Sequence, residues 1–301
     1  MDPDRVLQVS DKRSGTGPDS SLAVLEAPDT MREVSRRWHR EGETIGLVPT
    51  MGALHAGHMS LVELARQENS RVIVSIFVNP LQFGPGEDFE RYPRRLEEDF
   101  TVLQTAGVDA VYTPTVRDMY PAGASTRVTV HGVSQPLEGA HRPGHFEGVA
   151  TVATKLFSVT RAERAYFGQK DAQQVAVVRR LSLDLDTGVE IRVGPTVREA
   201  DGLALSSRNA NLSPEERKAA VCLSRALAAA AATYQSGERA LGALRRKLLE
   251  VLEAEPMASL DYAEMVDPET FRGPGTLAVL AVRIGRTRLI DNHDLELPYP
   301  G

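Results

Sequence analysis

The chain has 301 residues, a length that allows for about two domains. Hydrophobic residues make up 42% and charged residues 25%, so a full core can form without a covalent or metal staple. Cys222 is the sole cysteine and the formal charge is −6, which excludes an intramolecular disulfide and a multi-cysteine zinc site and argues against non-specific binding to nucleic acid or an anionic membrane.

Residues 1–21 are rich in Asp, Ser, Gly and Pro and lack the apolar core of a secretory signal; they read as a mobile tail on a cytoplasmic protein. No apolar run reaches the roughly 18 residues needed to span a bilayer. Residues 44–48, stopped by Pro49, read as a buried strand. A turn bearing Gly and His leads into helical spacing over 59–66. The β-branched run 71–78 reads as a fully buried strand ended by Asn79-Pro80. A helix over 96–106 with Gly107 as C-cap, a short strand over 110–112 and an alternating edge strand over 127–131 follow. Then come a helix over 148–159, a strand over 165–167, a helix over 172–183 and a strand over 190–193. This alternation predicts an α/β, Rossmann-like parallel sheet with helices on both faces. Its strand C-ends share one edge, where such sheets bind ligands. After Gly194-Pro195 the texture changes. Ser213-Pro214-Glu215-Glu216 has the form of a capping box, opening an Ala-rich helix to about Tyr234. A second helix over 238–255 and strands over 260–266, 277–282 and 287–290 complete a small α+β domain. The expected division is a tail over 1–21, a Rossmann-like domain over 22–196 and a C-terminal α+β lid over 197–301.

The stretch Pro49-Thr50-Met51-Gly52-Ala53-Leu54-His55-Ala56-Gly57-His58 carries the strongest chemical signal. Gly52 and Gly57 have Walker A spacing, but His58 stands where the lysine belongs and Met59 where the hydroxyl belongs. A zincin helix needs a longer His–His spacing and a glutamate. For an isolated His-x-Gly-His, two plain surface histidines remain an open reading. Between a buried strand and a helix start, however, both imidazoles fall at the sheet's C-terminal edge. Backbone N–H groups and the helix dipole are expected to point at an anion there, and glycine to admit a phosphate. Two imidazoles can donate to phosphate oxygens as charge builds at phosphorus. The pattern resembles the nucleotidyl-transferring superfamily that includes the class I aminoacyl-tRNA synthetases. Members also carry a mobile, phosphate-gripping loop. Leu205-Ser206-Ser207-Arg208-Asn209 occupies that place, and its hydroxyls and guanidinium suit a triphosphate. A Ser/Asn-rich linker turn is the plain alternative.

Over residues 27–297 the chain resembles the pantothenate synthetase (pantoate–β-alanine ligase) family. The matching segments are 49–58, Phe77-Val78-Asn79-Pro80-Leu81-Gln82-Phe83, Leu137-Glu138-Gly139 with Arg142-Pro143-Gly144-His145-Phe146, Phe167-Gly168-Gln169-Lys170-Asp171, and the run from Arg198 to Asn209. The resemblance implies an ATP-dependent ligase. Pantoate carboxylate attacks the α-phosphate to give pantoyl adenylate and pyrophosphate, and β-alanine then gives pantothenate and AMP. It implies an ATP loop of Met51, Gly52, Ala53, Leu54, His55, Ala56, Gly57 and His58. His55 and His58 would stabilise the transition state, His58 standing at the family's proton-donor position. Gln82 and Gln174 would hold pantoate, and Gln82 later β-alanine. Gly168, Gln169, Lys170, Asp171 and Val197 would line the nucleotide, Lys170 neutralising phosphate charge. Leu205 would belong to the ATP site, and Ser206, Ser207 and Arg208 would clamp the β- and γ-phosphates on a loop with few buried contacts, moving with a closing lid. His145 would help to shape the pantoate pocket. Mg²⁺ is expected with the triphosphate, reached by Glu98 or Asp99, although Glu97-Glu98-Asp99 also suits an ordinary acidic helix face. The implied partners are ATP, pantoate, β-alanine and a second copy in a homodimer. Ala56, Ala172 and Leu205 depart from residues common in relatives, and none of them is a reacting group. A nucleotidylyltransferase or a tRNA-synthetase fragment is the enzyme alternative, and the acidic charge argues against the fragment. A catalytically silent ATP-binding module is the non-enzyme alternative; retention of His55, His58, Lys170 and Arg208 argues against it.

Overall fold

The computed structural model describes residues 22–300, so the tail expected over 1–21 lies outside the described residues. In chain order the elements are β1 (Ala23–Leu25), α1 (Pro28–Arg40), β2 (Ile45–Thr50), α2 (Ala56–Glu68), β3 (Arg71–Ile76), α3 (Leu96–Thr105), β4 (Ala110–Tyr112), α4 (Val116–Met119), α5 (Glu138–His141), α6 (His145–Thr160), β5 (Arg164–Gly168), α7 (Ala172–Asp184) and β6 (Glu190–Gly194). There follow α8 (Pro214–Ala220), α9 (Cys222–Gln235), α10 (Leu241–Glu253), β7 (Ala258–Val266), β8 (Leu277–Ile284) and β9 (Thr287–Asp294).

The first sheet has the order β1-β4-β3-β2-β5-β6, and every pair in it is parallel. The period-two pattern sorts its side chains between two layers. Ile45, Leu47, Ile73, Ala165 and Phe167 pack with α1, α6 and α7. Val48, Val72, Val74 and Tyr166 pack with α2 and α3. Covered on both faces, these strands read as continuous apolar runs. From β2 the chain steps outward to β3 and β4, then returns to lay β5 on the other side of β2. Strand order therefore reverses between β2 and β5, and the loops leaving their C-ends meet in that crevice.

The second sheet, β7-β8-β9, is antiparallel. Its central strand serves two cores. Ala278, Leu280 and Val282 pack with α9 and α10, while Leu277 and Val279 join the cluster of α1, α6 and α7. Among the described residues, no helix is long and apolar enough to cross a membrane.

The short helices α4 and α5 were not expected, and the structure departs from the sequence reading at three further places. β1 and α1 precede the first element expected. Residues 127–131 form no strand; the Val128 N–H donates instead to Thr151 Oγ1 on α6 at 3.0 Å. The Ala-rich helix is two helices, α8 and α9, joined through Val221. The capping box forms as read, with Glu216 N–H on Ser213 Oγ at 3.2 Å and Ser213 N–H on the Glu216 carboxylate at 2.8 Å.

A buried ionic junction ties the second sheet to α5. Glu138 accepts from Arg288 of β9 at 2.6 and 2.8 Å and from the Tyr262 hydroxyl of β7 at 2.8 Å. Burial alone would raise the Glu138 carboxyl, but the Arg288 guanidinium outweighs it and holds it below its ordinary 4.5. The stabilisation is thus fully present above about pH 4.5 and is lost as pH falls through the lower, folded-state value. Glu138→Gln should cost about 3 kcal/mol in urea unfolding at pH 7, the low end for breaking a buried pair because Arg288 retains Asp261 at 2.6 Å. A loss under 1 kcal/mol would show the junction to be energetically idle.

Candidate active site

β2 ends at Thr50, and the chain turns through Gly52 (φ 81°) and Ala53 (φ 50°) into α2. His55 is the N-cap. Its Nδ1 accepts the Gly57 N–H at 3.2 Å, while His58 Nδ1 accepts the His55 N–H at 3.3 Å. A backbone N–H only donates, so neither Nδ1 carries a proton and both neutral rings bear theirs on Nε2. The ring centroids are 4.1 Å apart. Burial, with the charge of Lys170, lowers the pKa of His55. Burial and the neighbouring His55 bring His58 down to about 3. At neutral pH the pair is two neutral Nε2–H donors rather than an imidazolium.

The loop's backbone amides, expected to point at a bound anion, are engaged within the chain. Gly52 N–H donates to Thr50 Oγ1 at 3.2 Å. Ala53 and Leu54 N–H donate to the two oxygens of Asp99 at 2.9 and 2.8 Å, and those of His55 and Gly57 go to the imidazoles. Gly57 makes room for the cap itself, because a Cβ there would lie 3.0 Å from the His55 ring. Ala56 is exposed at the first helical position.

The same contacts bear on the metal. Asp99 points inward to the loop, and Glu98 is exposed and paired with Arg95 at 3.4 Å. Among the described residues, no group of three or more His, Cys, Asp or Glu side chains is placed to hold a metal ion. The residues therefore do not build a magnesium site of their own.

On the other side of the crevice, β5 ends at Gly168, where a Cβ would meet nothing. The following Gln169–Asp171 turn is held by Asn292 of β9, whose Nδ2 donates to the carbonyls of Gln169 and Lys170 at 3.0 and 2.9 Å. Gln169 Nε2 returns a bond to Asn292 Oδ1 at 3.1 Å. Lys170 Nζ lies 3.6 Å from Asp171. Burial pushes the Asp171 carboxyl up, but Lys170 and Arg208 outweigh it and keep it below the usual range. Gln174, on α7, joins Lys170, Asp171, Ser206 and Arg208 around a cavity of about 420 Å³ between the two sheets.

Gln82 sits apart from that cavity's lining, at the end of a short turn after β3. It is buried, with Nε2 3.1 Å from Met51 Sδ and Oε1 accepting from Asn79 at 3.1 Å. Its turn lies directly on α6 at Gly148, where a Cβ would fall 2.4 Å from the Leu81 backbone. The Gln82 carbonyl accepts from His145 Nδ1 at 2.9 Å, and Arg142 Nη1 lies 3.1 Å from His145 Nε2. A guanidinium only donates, so His145 is neutral with its proton on Nδ1; burial and Arg142 lower it to about 4. His145 thus supports Gln82 from behind.

Val197, beyond β6, accepts the Leu205 N–H at 2.9 Å. Ser206 Oγ caps the Arg208 N–H at 3.3 Å, and Ser207 Oγ lies 3.2 Å from the Tyr92 hydroxyl. Arg208 forks onto Asp88 at 2.9 and 3.0 Å. The loop expected to have few buried contacts is therefore anchored, with its guanidinium engaged by Asp88. Asp88, Tyr92 and Asn292 escaped the sequence reading. The first two lie in an aperiodic polar stretch between matched motifs, and Asn292 lies just beyond the residues 287–290 read as a strand.

A family model described as Pantoate-beta-alanine ligase matches residues 23–294. The pantothenate synthetase of Herpetosiphon aurantiacus is 53% identical over 277 residues, covering 90% of this chain and 99% of that protein. That of Heliobacterium modesticaldum is 52% identical over 281 residues, covering 92% and 100%. The crystal structure of pantothenate synthetase from Thermus thermophilus matches with a TM-score of 0.87 at 48% identity, over 93% of this chain and all of that one. A pantoate-beta-alanine ligase from Francisella tularensis, solved with "Beta-gamma ATP and Beta-alanine", matches with a TM-score of 0.78 at 34% identity over 93% of this chain. With the site at the strand-order reversal and the match running through both sheets, the chain belongs to the pantoate–β-alanine ligase family.

Proposed function

We propose that the chain joins pantoate to β-alanine using ATP through a pantoyl-adenylate intermediate, releasing pyrophosphate and then AMP. The observation that carries this reading is the pair of neutral imidazoles, locked by reciprocal caps with both Nε2–H groups free to donate, across the crevice from Lys170. When the pantoate carboxylate attacks the α-phosphorus, charge grows on phosphate oxygens. Preorganised donors and a compact cation stabilise that charge without reorganising. The acyl phosphate so formed has a good leaving group, and the β-alanine amine displaces AMP from it. Gln82 is suited to the hydroxy acid. A thioether is a weak acceptor, so its Nε2–H can exchange Met51 Sδ for a substrate oxygen. Gln174, on the cavity wall beside Lys170, is the second acid contact. Ser206, Ser207 and Arg208 meet the outer phosphates once Asp88 yields. Mg²⁺ enters with ATP as part of the substrate. A homodimer and a cytoplasmic location belong to the same proposal.

Incubation with ATP, pantoate and β-alanine should give pantothenate, AMP and pyrophosphate in equal amounts. ADP and phosphate would overturn the reading. Isotope exchange between pyrophosphate and ATP should need pantoate but not β-alanine, which tests the adenylate.

Either His55→Ala or His58→Ala should slow that exchange ~10²–10³-fold, the usual cost of one preorganised donor; near-wild-type exchange would remove the phosphate role. Nitrogen NMR of the imidazoles should find His58 neutral and protonated on Nε2 from pH 5 to 8. Because its folded value of about 3 lies below 6.5, the unfolded chain takes up the proton first, so this group weakens the fold as pH falls through that window. A His58 titration near 6.5 would contradict the cap. Gln82→Ala should weaken pantoate binding by ~1–3 kcal/mol in calorimetry, with ATP binding little changed. Equal losses for both would remove Gln82 from the acid pocket.

A further inference from the structure

Asp99 lies in the first turn of α3, is 3% exposed, and touches a loop that belongs to a different element. Its Oδ2 accepts the Ala53 N–H at 2.9 Å and its Oδ1 the Leu54 N–H at 2.8 Å. Ala53 is left-handed at φ 50° and follows a left-handed Gly52 at φ 81°. A residue with a Cβ holds that conformation only where its surroundings over-determine it. Two bonds from one carboxylate to consecutive amides do so. The fit is close: a Cβ on Gly52 would lie 3.0 Å from Asp99 Oδ2. The next amide along, that of His55, is the one that must reach His58 Nδ1 at 3.3 Å. Three successive amides are therefore fixed, two by Asp99 and one by the imidazole they bring into place.

We propose that Asp99 is a positioning residue for the adenylation step, holding the amides of Ala53 and Leu54 so that His55 and His58 meet with both Nε2–H groups toward the reacting phosphate. The catalytic half of this rests on the ligase reading; the loop-holding half does not.

Asp99→Asn replaces one accepting oxygen with an NH₂ that faces a backbone donor. The amides at 53 and 54 should then exchange with solvent on the order of 100-fold faster, while those of β3 keep their protection. In pantoate-dependent pyrophosphate–ATP exchange, kcat should fall roughly 10–100-fold, as for a small misplacement of reacting groups, with KM for ATP unchanged within about threefold. The Mg²⁺ concentration giving half-maximal rate should stay where it is. Unchanged amide exchange, an unchanged kcat, or a shifted Mg²⁺ requirement would each overturn the proposal, the last by making Asp99 part of a metal site. If the variant does not fold, the wild-type amides decide: exchange at 53 and 54 as fast as in an exposed loop would overturn it, and protection approaching that of β3 would support it. A wild-type chain without pantoate-dependent exchange would instead defeat the ligase reading, with the amide result still standing on its own.

Discussion

The site rests on how one helix satisfies its own beginning. The first N–H groups of any α-helix lack intrahelical partners, and α2 answers this with imidazole nitrogen rather than a hydroxyl or carboxylate. His55 and His58 each cap the other's end of the turn. That choice fixes both tautomers, because a ring nitrogen that accepts on one side must carry its hydrogen on the other. The helix terminus then presents ring Nε2–H donors in place of bare amides. Burial keeps the rings neutral, so the donors persist across the physiological range.

The remaining charge comes from elements far apart in sequence. Lys170 is presented by a turn that Asn292 of the second sheet holds through two carbonyls. Arg208 sits opposite Asp88, and Glu138 opposite Arg288. The two ion pairs differ in kind. Side-chain exposure is 29% and 20% for Arg208 and Asp88, against 14% and 7% for Arg288 and Glu138. The wetter pair is the weaker and exchanges its carboxylate for another anion more readily. The drier pair is expensive to open. Of the two pairs, the one at Arg208 is therefore the easier to open, and the Glu138 junction the harder.

Much of this was legible in the residues. The run ending in Phe77-Val78 and the apolar segment before Pro49 announced buried central strands, and their alternation with helices implied the crevice. What was missed has physical reasons. β1 is three residues long, too short for a period to show. The buried face of α1 runs Met31, Ser35, Trp38; its serine breaks the apolar stripe and is buried by donating to the Met31 carbonyl at 3.1 Å. Residues 127–131 alternate like a strand, but side-chain alternation does not supply a backbone partner, and Thr151 took the donor. Asp99 was expected near Mg²⁺ because that cation travels with a triphosphate, and its contact with the loop was not foreseen. Its backbone partners lie 45 and 46 residues away, a contact set only by packing α3 beneath the loop.

Gly148 carries a consequence for anyone reshaping this enzyme for heat resistance. Glycine within a helix is an obvious target, since alanine commonly gains roughly 0.5–1 kcal/mol there. In α6 the missing methyl is the space that the turn bearing Gln82 occupies. A propensity-guided replacement would push the Leu81–Gln82 backbone out of place while improving the helix on paper. At this position packing and the helix's own preference oppose each other: a methyl forced within 2.4 Å of the Leu81 backbone costs more than helix propensity returns, so the alanine would lower the melting temperature it was chosen to raise.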